Sequence, residues 1–198
     1  MDGNKTARRG SARAKLMTAA AARFYAQGVA STGIDVITAD AGVAKMSLYN
    51  NFASKAELVA AYLEQRQEEF LALHRRRREA LPTGARPGER ALTVFDAYVE
   101  HAEAAAEFRG CGLLNAAGEL ATGDPGRDAV ARHKAEVEDL LRDALTPRDG
   151  ERGADDVGGL AEHLSLLLEG AMARAGLEGS TARLHRARRH AAILLAAS

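Results

Sequence analysis

The chain has 198 residues, 46% of them hydrophobic but only 5% aromatic, and its 27 basic and 27 acidic side chains cancel to a formal net charge of zero. That length holds one large domain or two small ones with a substantial core, and abundant Ala with few β-branched runs favours packed helices over strands. A single cysteine, Cys111, excludes an intrachain disulfide and fits a reducing compartment.

The polar start MDGNKTARRGSARAK lacks the apolar stretch of a signal peptide. No apolar run approaches the roughly 18 residues that a membrane span needs, so a soluble, cytoplasmic protein without membrane association is expected. The charge is unevenly spread. Residues 1–55 carry eight Lys/Arg against three Asp, a net +5, which leaves −5 for the remainder. A basic N-terminal third on an acidic body suits a DNA-binding module joined to a domain with another task.

In chain order, residues 1–10 have no periodicity and read as a flexible basic arm. A helix is expected from Ser11, with Leu16, Ala19, Ala20 and Phe24 inward and Gly28 as its left-handed stop. A second begins at Thr32 or Gly33, with Asp35 at its positive end and Ile34, Ile37 and Ala41 as its inner stripe. Gly42 makes the turn, Val43 anchors it, and Ala44–Asn51 form the next helix, closed by Phe52. Two short helices joined this tightly, the second with small, polar or basic outward groups, suit a helix laid in the major groove.

Ser54 with Glu57 three residues later reads as a capping box opening a long helix to about Leu81. The run Arg75–Arg78 lies where that helix's dipole is negative, and Pro82–Gly88 breaks the chain. Further helices are expected over Glu89–Phe108, Gly112–Leu120, Asp128–Leu145, Asp155–Gly176 and Ser180–Ala197, separated by the turn Thr122–Gly126 and the loop Pro147–Gly153. The expected fold class is all-α with about nine helices: an arm (1–10), a helix-turn-helix domain (11–53) and a larger helical domain (54–198) whose first helix, 54–81, is the connector.

The order helix, Gly28, Thr32, Ile37, Ala41-Gly42-Val43, Lys45, Leu48-Tyr49, Phe52 and Ser54-Lys55 resembles the N-terminal domain of TetR-type transcriptional regulators over about residues 12–60. The resemblance implies that Lys45, Met46, Ser47 and Asn50 face the groove. Lys can pair with guanine O6/N7, Asn with adenine N6/N7 and Ser with either, while Met can touch a thymine methyl. Tyr49, Lys55 and Thr32 would be phosphate contacts, and Arg8, Arg9 and Arg13 would extend the contact as a basic arm into the minor groove. The plainer reading makes Lys45, Asn50 and Asn51 a solvated face, Tyr49 partly core and Met46 a packing residue. Two departures from the family stand out. Ala44 replaces a usual Ser cap, at a typical cost of ~1 kcal/mol, and Asn50-Asn51 replaces a frequent aromatic or His pair.

The resemblance further implies a homodimer on a pseudo-palindromic operator, formed by the last two helices as a four-helix bundle, with release by a small molecule bound in the C-terminal domain. The alternative is that those helices only complete the monomer core. Arg109–Leu141 also resembles the pattern GC-x-x-x-NA-x-x-E followed by HK of one branch of the family. Candidate pocket residues are Phe95, Tyr98, Leu114, Asn115, Glu119, His133 and Met172. The polar three (Asn115, Glu119, His133) are the better candidates, because burying them requires a partner; structural hydrogen bonding among them is the alternative. An enzyme built on Cys111 with His101 or His133 lacks supporting spacing. There is no Glu-x-x-His pair, no Cys/His cluster and no phosphate-binding glycine loop, so no catalytic residue, metal or cofactor is expected. A ligand-independent architectural DNA-binding protein is the other rival, disfavoured by the acidic body.

Overall fold

In the computed structural model, residues 2–105, 107–147 and 156–197 are described, 2–10 by their backbone alone. Among them are nine α-helices and no strand: α1 Asp2–Gln27, α2 Ile34–Asp40, α3 Lys45–Tyr49, α4 Lys55–Glu79, α5 Pro87–Glu103, α6 Gly112–Glu119, α7 Pro125–Leu145, α8 Val157–Glu178 and α9 Ala182–Ala197. Two bounds differ instructively from the sequence expectation. The backbone of α1 starts at Asp2 and not at Ser11, so the expected flexible arm is helical from residue 2. Good helix formers (Lys5, Ala7, Arg8, Arg9, then Ala12–Lys15) flank Gly10, whose cost of about 1 kcal/mol in a helix interior is tolerated. Second, α7 begins at Pro125 instead of Asp128. Proline lacks the N–H that the first helical position would leave unpaired, and the Asp124 carboxylate accepts from Gly126 N at 2.8 Å. Most of the loop expected at Pro147–Gly153 lies outside the described residues.

The chain forms two compact units, Met1–Arg66 with Gly112–Val130, and Gln67–Cys111 with Ala131–Ser198. The partition is interleaved in sequence, whereas the composition suggested one boundary near residue 54. In the first unit, Leu16, Phe24, Ile37, Leu48, Phe52, Leu58, Tyr62 and Leu63 are almost wholly buried, and Phe24 meets Tyr62 edge to face at 5.5 Å between ring centroids. Each such side chain stabilises the fold by roughly 1.5–3 kcal/mol through burial. The cap of α4 is close to the expected box: Ser54 Oγ accepts from Glu57 N at 3.1 Å. The Glu57 carboxylate reaches one residue further back than the usual box, accepting from Ala53 N at 2.6 Å.

The second unit packs α5 against α9 and α8 against α9. Its core contains Phe70, Phe95, Tyr98, Leu141, Leu164, Leu168, Met172 and Leu184. Two of the arginines ending α4, Arg76 and Arg77, converge on Glu100 of α5 at 2.7 and 2.8 Å. His74 stacks on Phe70, and burial pushes its pKa down to about 4, so it packs as a neutral ring. Asp156 caps α8 by accepting from Gly159 N at 2.8 Å, and Gly179 ends it in the left-handed conformation.

Arg90 has no counterpart in the sequence expectation, because charge patterns do not reveal a buried cation. It is 2% exposed and donates to the carbonyls of Ala144, Ala85 and Thr146 at 3.0, 2.8 and 2.9 Å. It thereby satisfies acceptors at and just past the C-terminal end of α7. Arg90→Ala strands three carbonyls and is expected to cost ~3 kcal/mol or more, read as a lowered urea midpoint. Arg90→Lys, without the guanidinium fork, should recover only part of that loss.

Candidate nucleic-acid interface

The turn between α2 and α3 is set by Gly42, whose φ of +62° is a conformation that L side chains rarely adopt. Gly42 N donates to Ala39 O and Val43 N to Thr38 O, both at 3.1 Å, so the carbonyls ending α2 are used as the chain reverses. α3 starts from Ala44, which supplies no side-chain cap. It is only five residues long, so tertiary contacts must hold it. Leu48 supplies them from within the helix, fully buried, and Phe52 from just beyond it.

The opposite side of α3 is open. Met46 is 68% and Tyr49 46% exposed; Lys45 and Asn50 are exposed, and Ser47 is half-buried. Lys45, Met46, Ser47 and Tyr49 therefore share the outer side of α3, Asn50 follows at its C-cap, and Lys55 is half-buried at the start of α4. Asn51 is tied to its own helix, its amide donating to Ser47 O at 2.7 Å. Lys45 Nζ pairs with Asp35 Oδ1 of α2 at 2.7 Å. The hydrogen bond and the charge of that carboxylate make the ammonium more basic than an ordinary lysine. The sequence placed Asp35 at the α2 N-terminus but missed this pairing, although a tight turn brings the first turns of both helices together.

Two expectations are corrected. Thr32 is 1% exposed, and its hydroxyl donates to Gly28 O at 2.7 Å, so its side chain is spent inside the fold and presents nothing to a phosphate. Arg13 lies over the Phe52 ring at 4.3 Å and donates to Asn51 O at 3.1 Å. It braces the C-terminal end of α3 instead of extending as an arm; cations are favoured at that pole. The side chains of Arg8 and Arg9 lie outside the described residues. Arg23 grips Asp40 through two hydrogen bonds, 2.5 and 3.1 Å. Those bonds raise the pKa of Arg23 and lower that of Asp40, and they pin the end of α2 to α1.

The expected pocket residues divide. Phe95, Tyr98 and Met172 are buried in the core of the second unit, and His133 is buried in the same unit. Leu114, Asn115 and Glu119 are exposed and belong to the first unit, which corrects the expectation that they face inward with the others. On α6 the inward positions are Leu113 and Ala116, leaving 114, 115 and 119 on other sides. The Glu119 carboxylate instead accepts from Ala30 N at 2.6 Å, holding the loop after α1. The sequence also missed a polar cluster in the second unit. Lys134 Nζ donates to Glu169 Oε1 at 2.8 Å, Tyr98 Oη at 3.2 Å and Cys111 Sγ at 3.4 Å. Burial raises the Tyr98 phenol far above its ordinary range. It works against the Lys134 ammonium, yet the negative partners around it hold its pKa raised.

The description "Bacterial regulatory proteins, tetR family" matches residues 16–62, and "Tetracyclin repressor-like, C-terminal domain" matches residues 87–191. Among solved structures, the chain is similar to a TetR-family transcriptional regulator from Streptomyces coelicolor at 31% identity. That match covers 94% of this chain and 96% of the other, with a TM-score of 0.77. A TetR-type transcriptional regulator from Streptomyces avermitilis matches at 34% identity over 91% and 97% of the two chains, TM-score 0.68. The regulatory protein TetR from Rhodobacter sphaeroides matches at 25% identity over 92% and 97%, TM-score 0.68. No curated protein matches the chain.

Gly28 joins these elements. Its φ is +91°, and a Cβ there would collide with the Glu119 carboxylate. Gly28→Ala is expected to cost about 1–2 kcal/mol from the left-handed backbone alone, plus the displacement of Glu119. In thermal melts, Glu119→Ala on the Gly28→Ala background should relieve the displacement, lose the hydrogen bond from Ala30 N and leave the backbone cost in place.

Proposed function

Because the chain belongs to the TetR family of bacterial regulatory proteins and is a DNA-binding transcriptional regulator, we propose that it acts as a homodimeric repressor released from its operator by a small molecule. The observation that carries the reading is α3 itself. A helix that buries Leu48 on one side and leaves Lys45, Met46, Tyr49 and Asn50 to solvent on the other is built to meet a polar groove. Lys45, Met46, Ser47 and Asn50 read base edges in this proposal; Tyr49 and Lys55 contact phosphate and set the register.

A single helix of this length touches few bases, so a pseudo-palindromic operator read by two copies supplies the specificity. Support for the dimer comes from α8 and α9. Their inner positions Leu164, Leu168, Met172 and Leu184 are buried, while Leu166, Leu177 and Ile193 remain 65%, 85% and 66% exposed. Side chains of that size left in water are the material of an interface. The effector site is proposed in the second unit beside Tyr98, Lys134 and Glu169. Among the described residues Glu169 Oε2 is buried without a hydrogen-bond partner, so a ligand bearing a donor would gain a hydrogen bond there. Such a ligand releases DNA only to the extent that it prefers the released state.

The test is binding of the purified protein, at moderate salt, to a palindromic site near its own gene; no binding there sinks the repressor reading. Asn50→Ala should relax selectivity by ~1–3 kcal/mol at particular base pairs. Lys55→Ala should weaken every sequence alike and reduce the salt slope by about one; a sequence-selective loss would overturn its phosphate role. For the dimer, Leu166→Asp combined with Ile193→Asp should yield monomers in sedimentation at micromolar concentration. An unchanged mass would place the interface elsewhere.

A further inference from the structure

The Asp35–Lys45 pair sits where DNA would be read, yet half of it is an anion. Asp35 lies in the first turn of α2 with its side chain 78% exposed, and Lys45 opens α3 at 55%. An ion pair this open to solvent stabilises a fold little. A carboxylate on a surface facing a polyanion is repelled unless it meets a hydrogen-bond donor. The donors that the major groove offers are the exocyclic amino groups of cytosine and adenine.

We propose that Asp35 determines specificity together with Lys45: the two form one donor–acceptor unit that reads both bases of a single pair, taking a keto base (G or T) opposite Lys45 and an amino base (C or A) opposite Asp35. The inference rests on α3 entering the major groove. Guanine O6 stands beside cytosine N4 in that groove, and thymine O4 beside adenine N6. Each couple is the two ends of a Watson–Crick hydrogen bond, about 2.9 Å apart. The ammonium and carboxylate are 2.7 Å apart, so donor meets acceptor at both ends without either charge moving away from its partner. The reversed pairs fail. C·G sets an amino group against the ammonium and a carbonyl against the carboxylate. A·T does the same and leaves only adenine N7 for Lys45. Within the accepted pairs G·C is preferred, because guanine N7 adds a second acceptor where thymine presents a methyl. Lys45 alone would take G, T, and A through N7; excluding A·T is the contribution of Asp35.

The experiment is selection of bound duplexes from a random pool by the full-length wild type, Asp35→Ala, Asp35→Asn and Lys45→Ala. Titration against the four versions of each selected base pair follows. The wild type is expected to select one position per half-site with G·C first, T·A second and A·T rejected. Asp35→Ala and Asp35→Asn should both admit A·T at that position, by about tenfold relative to G·C, with other positions unchanged. Lys45→Ala should lose the preference for G·C at the same position. Asp35→Asn keeps the side-chain volume, so the test survives if the alanine variant loosens α2. A uniform affinity gain on all sequences, as removal of a repelled carboxylate gives, overturns the inference. So does a change at a position other than the one Lys45 controls, or a selectivity left unchanged in both Asp35 variants. If the wild type selects no sequence at all, the groove reading fails and takes this inference with it.

Discussion

A helix of five residues cannot stand alone, since nucleation costs more than one turn of hydrogen bonds returns. The solvent-facing side of α3 therefore depends on how its other side is held. Leu48, together with Phe52 just past the helix end, is buried against a core that includes Leu16, Phe24 and Ile37. Arg13 covers Phe52 and takes the Asn51 carbonyl, so the end of α3 is fixed to α1 by both apolar and charged contacts. Arg23 with Asp40 does the same for the end of α2. With both helices fixed, Lys45, Met46, Tyr49 and Asn50 keep defined positions on a surface that contributes nothing to packing. Under the proposed reading, rigid placement of these groups is what would make their hydrogen-bonding pattern selective.

The inner face of this domain was legible because it obeys periodicity. Leu16, Ile37, Leu48, Phe52 and Leu58 fall at helical spacing and are all buried, and Gly42 and Ser54 have the turn and cap chemistry their types suggest. What sequence reasoning could not see are side chains whose partners lie far along the chain. Thr32 looks like a helix-start hydroxyl but is spent on Gly28 O. Glu119 sits 89 positions from the amide it binds, Ala30 N, and Arg90 reaches carbonyls 54 and 56 residues away. Local pattern assigns a residue to a face; it does not say which backbone group waits on that face.

The error over Glu119 is instructive. Asn115, Glu119 and His133 drew attention as polar residues near apolar ones, on the argument that burial demands a partner. His133 is buried, but α6 turns Gly112, Leu113 and Ala116 inward and leaves Asn115 and Glu119 exposed. A part-buried polar cluster that the sequence did not suggest stands beside His133 in the second unit, where Lys134, the next residue, meets Glu169 and Tyr98. A lysine in an exposed-looking sequence context gives no hint of partial burial, because the carboxylate that compensates its charge, Glu169, is 35 positions distant.

The part-buried Lys134–Glu169 pair bears on how the proposed response to a ligand would work. A partly buried ion pair gains little net stability, since its attraction is set against the desolvation of both charges. Losing one partner, by contrast, is costly, and this asymmetry makes the Lys134–Glu169 contact sensitive to any ligand that competes for either charge. A ligand that displaced Lys134 from Glu169 would have to replace its hydrogen bonds or forfeit affinity. The affinity difference between DNA-bound and released states then sets the whole response, each tenfold change in operator affinity requiring about 1.4 kcal/mol of preference. α4 and α7 each contribute residues to both compact units, so under the proposed effector site a preference generated near Lys134 would fall on a helix whose residues belong to both.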